Sequence, residues 1–294
     1  MQKPFRFGVV SGGVSSHTEW IALAKKIEQF GYSTLLLPDR LMMPVAPFTA
    51  LAVAAEATTT LRLGSYVFCN DYRHPAMLAK EIATLDMLSG GRVEPGLGAG
   101  VGPSDFEQMG LPFESAGVRV SRLEESLHII KQFFSDEPVN FSGKYYTITN
   151  MRGVPKAIQR PHPPLLVAGG QKRMLTIAAQ QADIIAVAFP ITAQGANPDD
   201  AAPEQKIAWI REAAGERFSQ LELAQTHFGL TLTDSPVKVP QFVGGPPFPK
   251  TPMSTQQAIE FLLEQRERLG ISYIQINQAQ IENFLPVLAQ LNGK

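Results

Sequence analysis

Along this chain, short unbroken apolar runs alternate with longer stretches in which apolar residues return every three or four positions. Phe5–Val10 reads as a strand, and Ser16-His17-Thr18-Glu19 after it reads as a capping box, with Ser16 bonding an early helix amide while Glu19 reaches back. Trp20, Leu23, Ala24, Ile27 and Phe30 then share one helix face, and Gly31 supplies the left-handed residue that ends the helix. Thr34–Leu37 reads as a buried strand. The cycle repeats with a helix at Phe48–Thr58, a strand at Leu61–Phe68, a helix at Pro75–Leu88, a turn at Gly90-Gly91 and a strand at Arg92–Leu97. Val120, Leu123, Leu127, Ile130 and Phe134 mark a long amphipathic helix. Beyond it, Val139-Asn140-Phe141 and Lys144–Ile148 flank Ser142-Gly143 as a hairpin. Leu165–Ala168, Ile184–Ala188, Ala224–Leu232 and Tyr273–Ile276 complete the strands.

Eight strands alternating with helices over 294 residues give roughly 37 residues per unit, the size of a βα repeat with some insertions. The pattern predicts an α/β fold, an eight-stranded (β/α)8 TIM barrel with insertions, in one domain over residues 1–294. A doubly wound open sheet is the alternative, but GVVSGG at Gly8–Gly13 lacks the G-x-G-x-x-G dinucleotide fingerprint. Pro236–Pro252 reads as a mobile loop between the seventh strand and the last helices. Pro95 falls inside the fourth strand, where a missing amide breaks a ladder bond and predicts local distortion.

Composition narrows the partners. The 26 Lys+Arg against 27 Asp+Glu leave a formal charge of -1, which gives no field for nucleic acid. No run reaches the roughly 18 apolar residues of a membrane span. Cys69 is the single cysteine, so no internal disulfide forms and a cytoplasmic setting is expected. The expected partner is a small-molecule substrate.

Active sites of βα barrels lie at the C-terminal ends of the strands. Here those ends are Ser11 to Gly13, Asp39-Arg40, Cys69-Asn70-Asp71, Gly98-Ala99-Gly100, Gly169-Gly170-Gln171 and Phe189. Gly169-Gly170-Gln171 stands between a strand and a helix start, where bare amides bind phosphate well; the alternative is a plain tight turn. The glycines from Gly96 to Gly102 strip side chains from the fourth strand end, either for a flat ring to approach or for a flexible loop. Asp39-Arg40 could orient a ring or relay a proton, or could form a structural ion pair; Arg40 is no general acid at neutral pH. His74 and His162 read as structural, no metal site is expected, and Cys69 reads as a buried packing residue. HExxH, CxxC and G-x-S-x-G are absent. A phosphate turn with few acid/base groups points to a cofactor that carries the chemistry.

Arg73-His74-Pro75, Ala83-Thr84-Leu85-Asp86-Met87-Leu88-Ser89-Gly90-Gly91-Arg92, Gly96-Leu97-Gly98-Ala99-Gly100 and Gln159-Arg160-Pro161-His162-Pro163-Pro164 together resemble the luciferase-like superfamily of flavin- and deazaflavin-dependent oxidoreductases. Within it, Asn70-Asp71-Tyr72-Arg73-His74-Pro75 and Arg266 through Tyr273 are most similar to a branch assigned to coenzyme F420. The resemblance implies a homodimer and a non-prolyl cis peptide under the cofactor ring, at Tyr66-Val67 or one residue earlier. It also implies ring contacts from Gly98, Ala99 and Gly100, with Asn70 beside the ring, and phosphate contacts from Gly169 and Gly170, next to the Gln171, Asp39 and Arg40 candidates of the strand ends. Some deazaflavin dehydrogenases carry Asp-His at the second strand end and a Glu after the fourth-strand glycines. Asp39-Arg40 and Val101 stand there in this chain, so their sugar-phosphate mechanism does not transfer. The expected reaction is hydride transfer between reduced F420 and a small organic molecule. An FMN-dependent monooxygenase using oxygen and a non-catalytic flavin-binding barrel are the alternatives. Pro190–Pro203 and Pro236–Pro252 are expected to shape the substrate pocket.

Overall fold

A computed structural model describes residues 2–188, 191–192, 195–196, 200–234 and 251–294. The first half runs β1 (Arg6–Val10), α1 (His17–Gln29), β2 (Thr34–Leu37), α2 (Pro47–Ala57), β3 (Arg62–Ser65), β4 (Phe68–Cys69), α3 (Pro75–Leu88), β5 (Val93–Glu94), β6 (Gly96–Gly98), α4 (Pro103–Gln108) and α5 (Ala116–Phe134). A hairpin of β7 (Val139–Ser142) and β8 (Thr147–Met151) follows, near the expected place. Then come β9 (Leu166–Gly169), α6 (Lys172–Gln181), β10 (Ile184–Val187), the two-residue strands β11 (Ile191–Thr192) and β12 (Gly195–Ala196), α7 (Pro203–Ala214) and β13 (Glu222–Thr226). The chain closes with β14 (Leu230–Leu232), β15 (Thr251–Met253), α8 (Thr255–Leu269), β16 (Ile271–Asn277) and α9 (Leu285–Leu291).

Ten of these strands form one curled parallel sheet in the order β4-β6-β9-β10-β13-β16-β1-β2-β3-β5. The same two chain segments stand at both ends of that order. β3 passes into β4 across Tyr66-Val67, β5 passes into β6 across Pro95, and each half of one segment pairs with a half of the other. Pro95 therefore interrupts the strand as its missing amide requires, while its carbonyl still accepts from Leu166 N at 2.9 Å. Side chains sort by the two-residue period of the strands. Phe7, Val9, Leu35, Leu63, Val167, Ile185, Leu223 and Ile274 pack outward under the helices, whereas Val10, Leu36, Leu166, Ala186, Ala224 and Tyr273 form a separate apolar layer inside.

Two details differ from the sequence reading. Ser16 caps α1 by accepting from Glu19 N at 3.3 Å, but the Glu19 carboxylate reaches Ser15 N and Oγ instead of completing the box on Ser16. The run Ala224–Leu232 is two strands: β13 stays in the main sheet, and β14 leaves it to pair with β15. Most of Pro236–Pro252 lies outside the described residues, and its last two positions belong to or adjoin β15. Among the described residues no helix is long and apolar enough to cross a membrane.

Candidate active site

One wall of the mouth is built by the two interrupted segments. The Tyr66-Val67 peptide is cis, at the expected position. Ser65 Oγ donates to Gly96 O at 2.8 Å and accepts from Gly96 N at 3.1 Å, so it ties one interruption to the other. Gly98 is glycine because a Cβ there would stand 2.6 Å from Val67 Cγ2. Gly100 has φ +85 and would meet Cys69 Sγ at 2.8 Å. Ala99 lies between them, partly buried, on this wall. Asn70 follows β4 and is fully buried. Its Nδ2 donates to Asp71 Oδ1 at 3.1 Å and Tyr146 Oη at 3.4 Å, while its Oδ1 has no partner.

Charged groups on the rim are held in pairs. Asp39 and Arg40 leave β2 as neighbours but do not bond one another. Asp39 accepts from Arg73 Nη1 at 2.5 Å and Nη2 at 3.2 Å and from Cys69 N at 3.1 Å. Arg40 binds Asp105 through Nε and, at 3.2 Å, through Nη2. Hydrogen bonds from Arg40 hold the Asp105 carboxyl below the usual carboxylate range. Asp71 accepts from Arg122 Nη1 at 2.6 Å. Burial pushes the Cys69 thiol up to about 12, which fits a packing role.

On the strand next to β6, Gly169-Gly170-Gln171 turns from β9 into α6. The Gln171 N-cap gives the helix no side-chain bond, unlike the serine caps of α1, α5 and α8. That leaves first-turn amides for an anion. The glycines are there for closeness, since neither has a positive φ. A Cβ on Gly170 would stand 2.4 Å from Ala188 O, and one on Gly169 would stand 2.2 Å from Met174 Cγ. Behind the turn the fully buried Lys206 donates to Ala188 O at 2.8 Å and pairs with Asp200 at 2.5 Å.

The floor holds residues that motif reading passed over. Thr226 lies two positions beyond the inward Ala224, and Gln275 two beyond the inward Tyr273. Thr226 Oγ1 donates to Gln275 Oε1 at 2.8 Å, and Gln275 Nε2 is buried without a partner. Tyr66 packs into the same inner layer and meets Phe228 edge-on at 6.5 Å. Burial pushes its phenol up. The period-two alternation alone would have found Thr226 and Gln275, whereas Tyr66 was already named at the cis peptide. His74 caps α3 by accepting from Ala76 N, and His162 contacts Pro163 O and Asp183, so both sit structurally. Phe189 and, within Pro190–Pro203, positions 190, 193–194 and 197–199 lie outside the described residues. A flat ring ending in a phosphate fits what is present: an unpartnered Asn70 acceptor three residues past the cis peptide, the small residues Gly98-Ala99-Gly100 at a strand end, and a helix without a side-chain cap after the neighbouring strand.

A family model described as luciferase-like monooxygenase matches residues 4–233, and the chain belongs to that family of enzymes. An uncharacterized Mycobacterium tuberculosis protein is 29% identical over 57% of this chain and 64% of its own length. An F420-dependent glucose-6-phosphate dehydrogenase of Amycolatopsis mediterranei is 31% identical over 41% of this chain and 36% of its own. The matched region thus spans less than two thirds of these relatives. Among solved structures, the F420-dependent tetrahydromethanopterin reductase of Methanopyrus kandleri superposes with TM-score 0.79 at 20% identity, covering 99% of both chains. An F420-dependent secondary alcohol dehydrogenase, in complex with an F420-acetone adduct, gives 0.76 at 18% identity over 98% of each. An EDTA monooxygenase from Chelativorans sp. BNC1 gives 0.78 at 13%, covering 98% of this chain and 94% of that one. At these identities the likeness concerns the fold, a curled parallel α/β sheet of luciferase type.

Proposed function

We propose that this protein is an F420-dependent oxidoreductase that moves a hydride between the deazaflavin and a small organic substrate. The observation that carries the reading is the division of labour at the mouth. The rim carboxylates Asp39, Asp71 and Asp105 are each held by an arginine, and the floor offers neutral polar groups. Such a site positions a reactive cofactor and leaves the bond-making to it. Bound deazaflavin supplies a hydride donor or acceptor at C5. The backbone at Tyr66-Val67 and the Gly98-Ala99-Gly100 strand end support its ring, Asn70 Oδ1 accepts from it, and the Gly169-Gly170-Gln171 amides take its phosphate. In this reading Asp39 and Arg40 act by fixing the rim, through Arg73 and Asp105, and not by proton transfer. The relative named for F420 and the two F420 enzymes among the fold neighbours support this cofactor.

We also read the ten sheet strands as eight barrel strands, two of them interrupted once, in a single domain. The EDTA monooxygenase likeness favours a second reading, with FMN at the same place and oxygen as co-substrate. Native mass spectrometry of the protein mixed with equal F420 and FMN separates the two. A complex with the mass of bound F420 is expected, and a complex with FMN alone would replace the first reading by the second.

A further inference from the structure

Away from the mouth, the first two helices leave a hollow of about 410 Å³ between them. One wall is the start of α1 with Trp20, and the other is the α2 face that carries Thr49 and Val53, with Val45 from the loop before it. Trp20, Val45 and Val53 pack in the apolar cluster outside the sheet, whereas the mouth belongs to the separate inner layer with Tyr66 and Val67. The hollow is held open by contacts within each wall and between the loops. Trp20 Nε1 donates to Ala50 O at 2.8 Å, which fixes the indole against α2. A Cβ on Gly13 would stand 2.9 Å from Val45 Cγ2, so the loops after β1 and β2 already touch. Protein interiors leave few voids larger than a water molecule, and ligand pockets run from about 300 to 1,000 Å³.

The lining also sorts occupants by charge. It contains no Asp, Glu, Lys or Arg, and its polar groups are the hydroxyls of Ser15, Ser16 and Thr49 and the His17 ring. Among the described residues, neither Thr49 nor the His17 ring makes a hydrogen bond. The two helices run in the same direction, because each returns between parallel strands, so His17 and Thr49 stand at one end and Trp20 and Val53 about one turn further on. At the polar end the Glu19 carboxylate accepts from Ser15 Oγ at 3.1 Å and from Ser15 N at 3.3 Å. An anion would meet that carboxylate. A cation would give up its water against apolar walls to reach an acceptor that Ser15 already uses.

We infer that this hollow is a second small-molecule site, outside the mouth, for an uncharged molecule with an apolar body of about ten carbon atoms and one alcohol, phenol or ketone oxygen. The oxygen bonds Thr49 or His17, and the apolar body lies against Trp20 and Val53. The site is independent of which cofactor the mouth takes.

The indole N–H signal of Trp20 in the NMR spectrum of the wild-type protein reads this directly, and Trp209→Phe identifies it by removing the only other indole. Three probes of one shape differ in charge: 4-phenylbutan-1-ol, 4-phenylbutyrate and protonated 4-phenylbutylamine. The alcohol should shift the Trp20 signal saturably, with a dissociation constant below about 1 mM, and the acid and the amine should bind at least about tenfold more weakly. Thr49→Phe fills the hollow from an exposed helix position and should weaken the alcohol by about tenfold or more. Ala46→Leu, on the same wall and also exposed, decides if Thr49→Phe does not fold. No saturable shift with the alcohol overturns the inference, as does equal or tighter binding of either charged probe, or wild-type affinity in the filled variant. A Trp20 signal that moves with protein concentration and not with the alcohol would give the hollow to a second copy of the chain and overturn it as well.

Discussion

The two ends of the curled sheet spend their polar residues differently. At the end where the strands begin, charges meet inside the curled sheet. Arg6 donates to Glu94 at 2.9 Å, Glu222 at 2.6 Å and Thr34 at 3.2 Å, and its guanidinium lies 3.5 Å over the Tyr273 ring. Burial works against the Arg6 charge, but Glu94 and Glu222 outweigh it and hold its pKa well above the ordinary value. At the mouth, charges are moved to the rim and tied off, and neutral groups fill the interior. A buried charge network fixes register and closes that end of the curled sheet. A neutral interior with a few unpaired polar atoms can still accept a ligand. Gly8 sits where the two regions touch, since a Cβ there would stand 2.7 Å from Tyr273 Oη.

If that contrast is right, damage at the closed end costs folding and damage at the mouth costs binding. Arg6→Ala leaves Glu222 without its cation and Glu94 with Arg62 alone, 3.3 Å away, and should lower stability by about 3–5 kcal/mol, read as the urea midpoint. The folded fraction should still bind F420. A loss under 1 kcal/mol would mean that the network is solvent-screened and the contrast between the ends is false.

The next effect is one of pH. His227, just past β13, is buried against Phe261, and burial alone lowers its pKa from 6.5 to about 4. The folded state therefore refuses a proton that the unfolded chain accepts below pH 6.5. Stability should fall as pH drops from 6.5 towards 4, by up to about 3 kcal/mol, and level off below. His227→Leu should flatten that slope in urea titrations at pH 7 and pH 5. An unchanged slope would assign the acid sensitivity elsewhere.

The smallest effect is also the most diagnostic, because its two readouts move in opposite directions. Gln171→Ser supplies the N-cap that α6 lacks and should raise stability by about 1 kcal/mol. The same hydroxyl competes for an amide assigned to the cofactor phosphate, so F420 affinity should drop about tenfold. Gains in both thermal midpoint and affinity would show that those amides hold no anion. Gly170→Val is a poor substitute. Its side chain runs into Ala188 O, so any lost binding would be confounded with lost packing.

How much of this was readable beforehand depends on the distance over which each feature is encoded. The βα alternation, the break at Pro95 and the cis peptide at Tyr66-Val67 depend on local sequence or on a family motif, and the structure has them where expected. The partners of Asp39 and Arg40 do not. Arg73 and Asp105 lie 34 and 65 positions away, and adjacency in sequence made the two rim residues look like each other's partners. The glycines of the phosphate turn were legible as glycines but not in their cause, which is the approach of Ala188 O and Met174 and not a positive φ. Thr226 and Gln275 come from neighbouring strands and meet only because of sheet register. Nothing local marks Ala224–Leu232 as two strands either. The exit of β14 towards β15 is a tertiary pairing.

The central claim, that the mouth is an F420 site, is tested most directly by titrating the wild-type protein with F420 and, separately, with FMN while following the fluorescence of each ring. The account predicts saturable quenching of F420 at submicromolar concentration and none of FMN in the same range. Submicromolar binding of FMN with no response to F420 would contradict it.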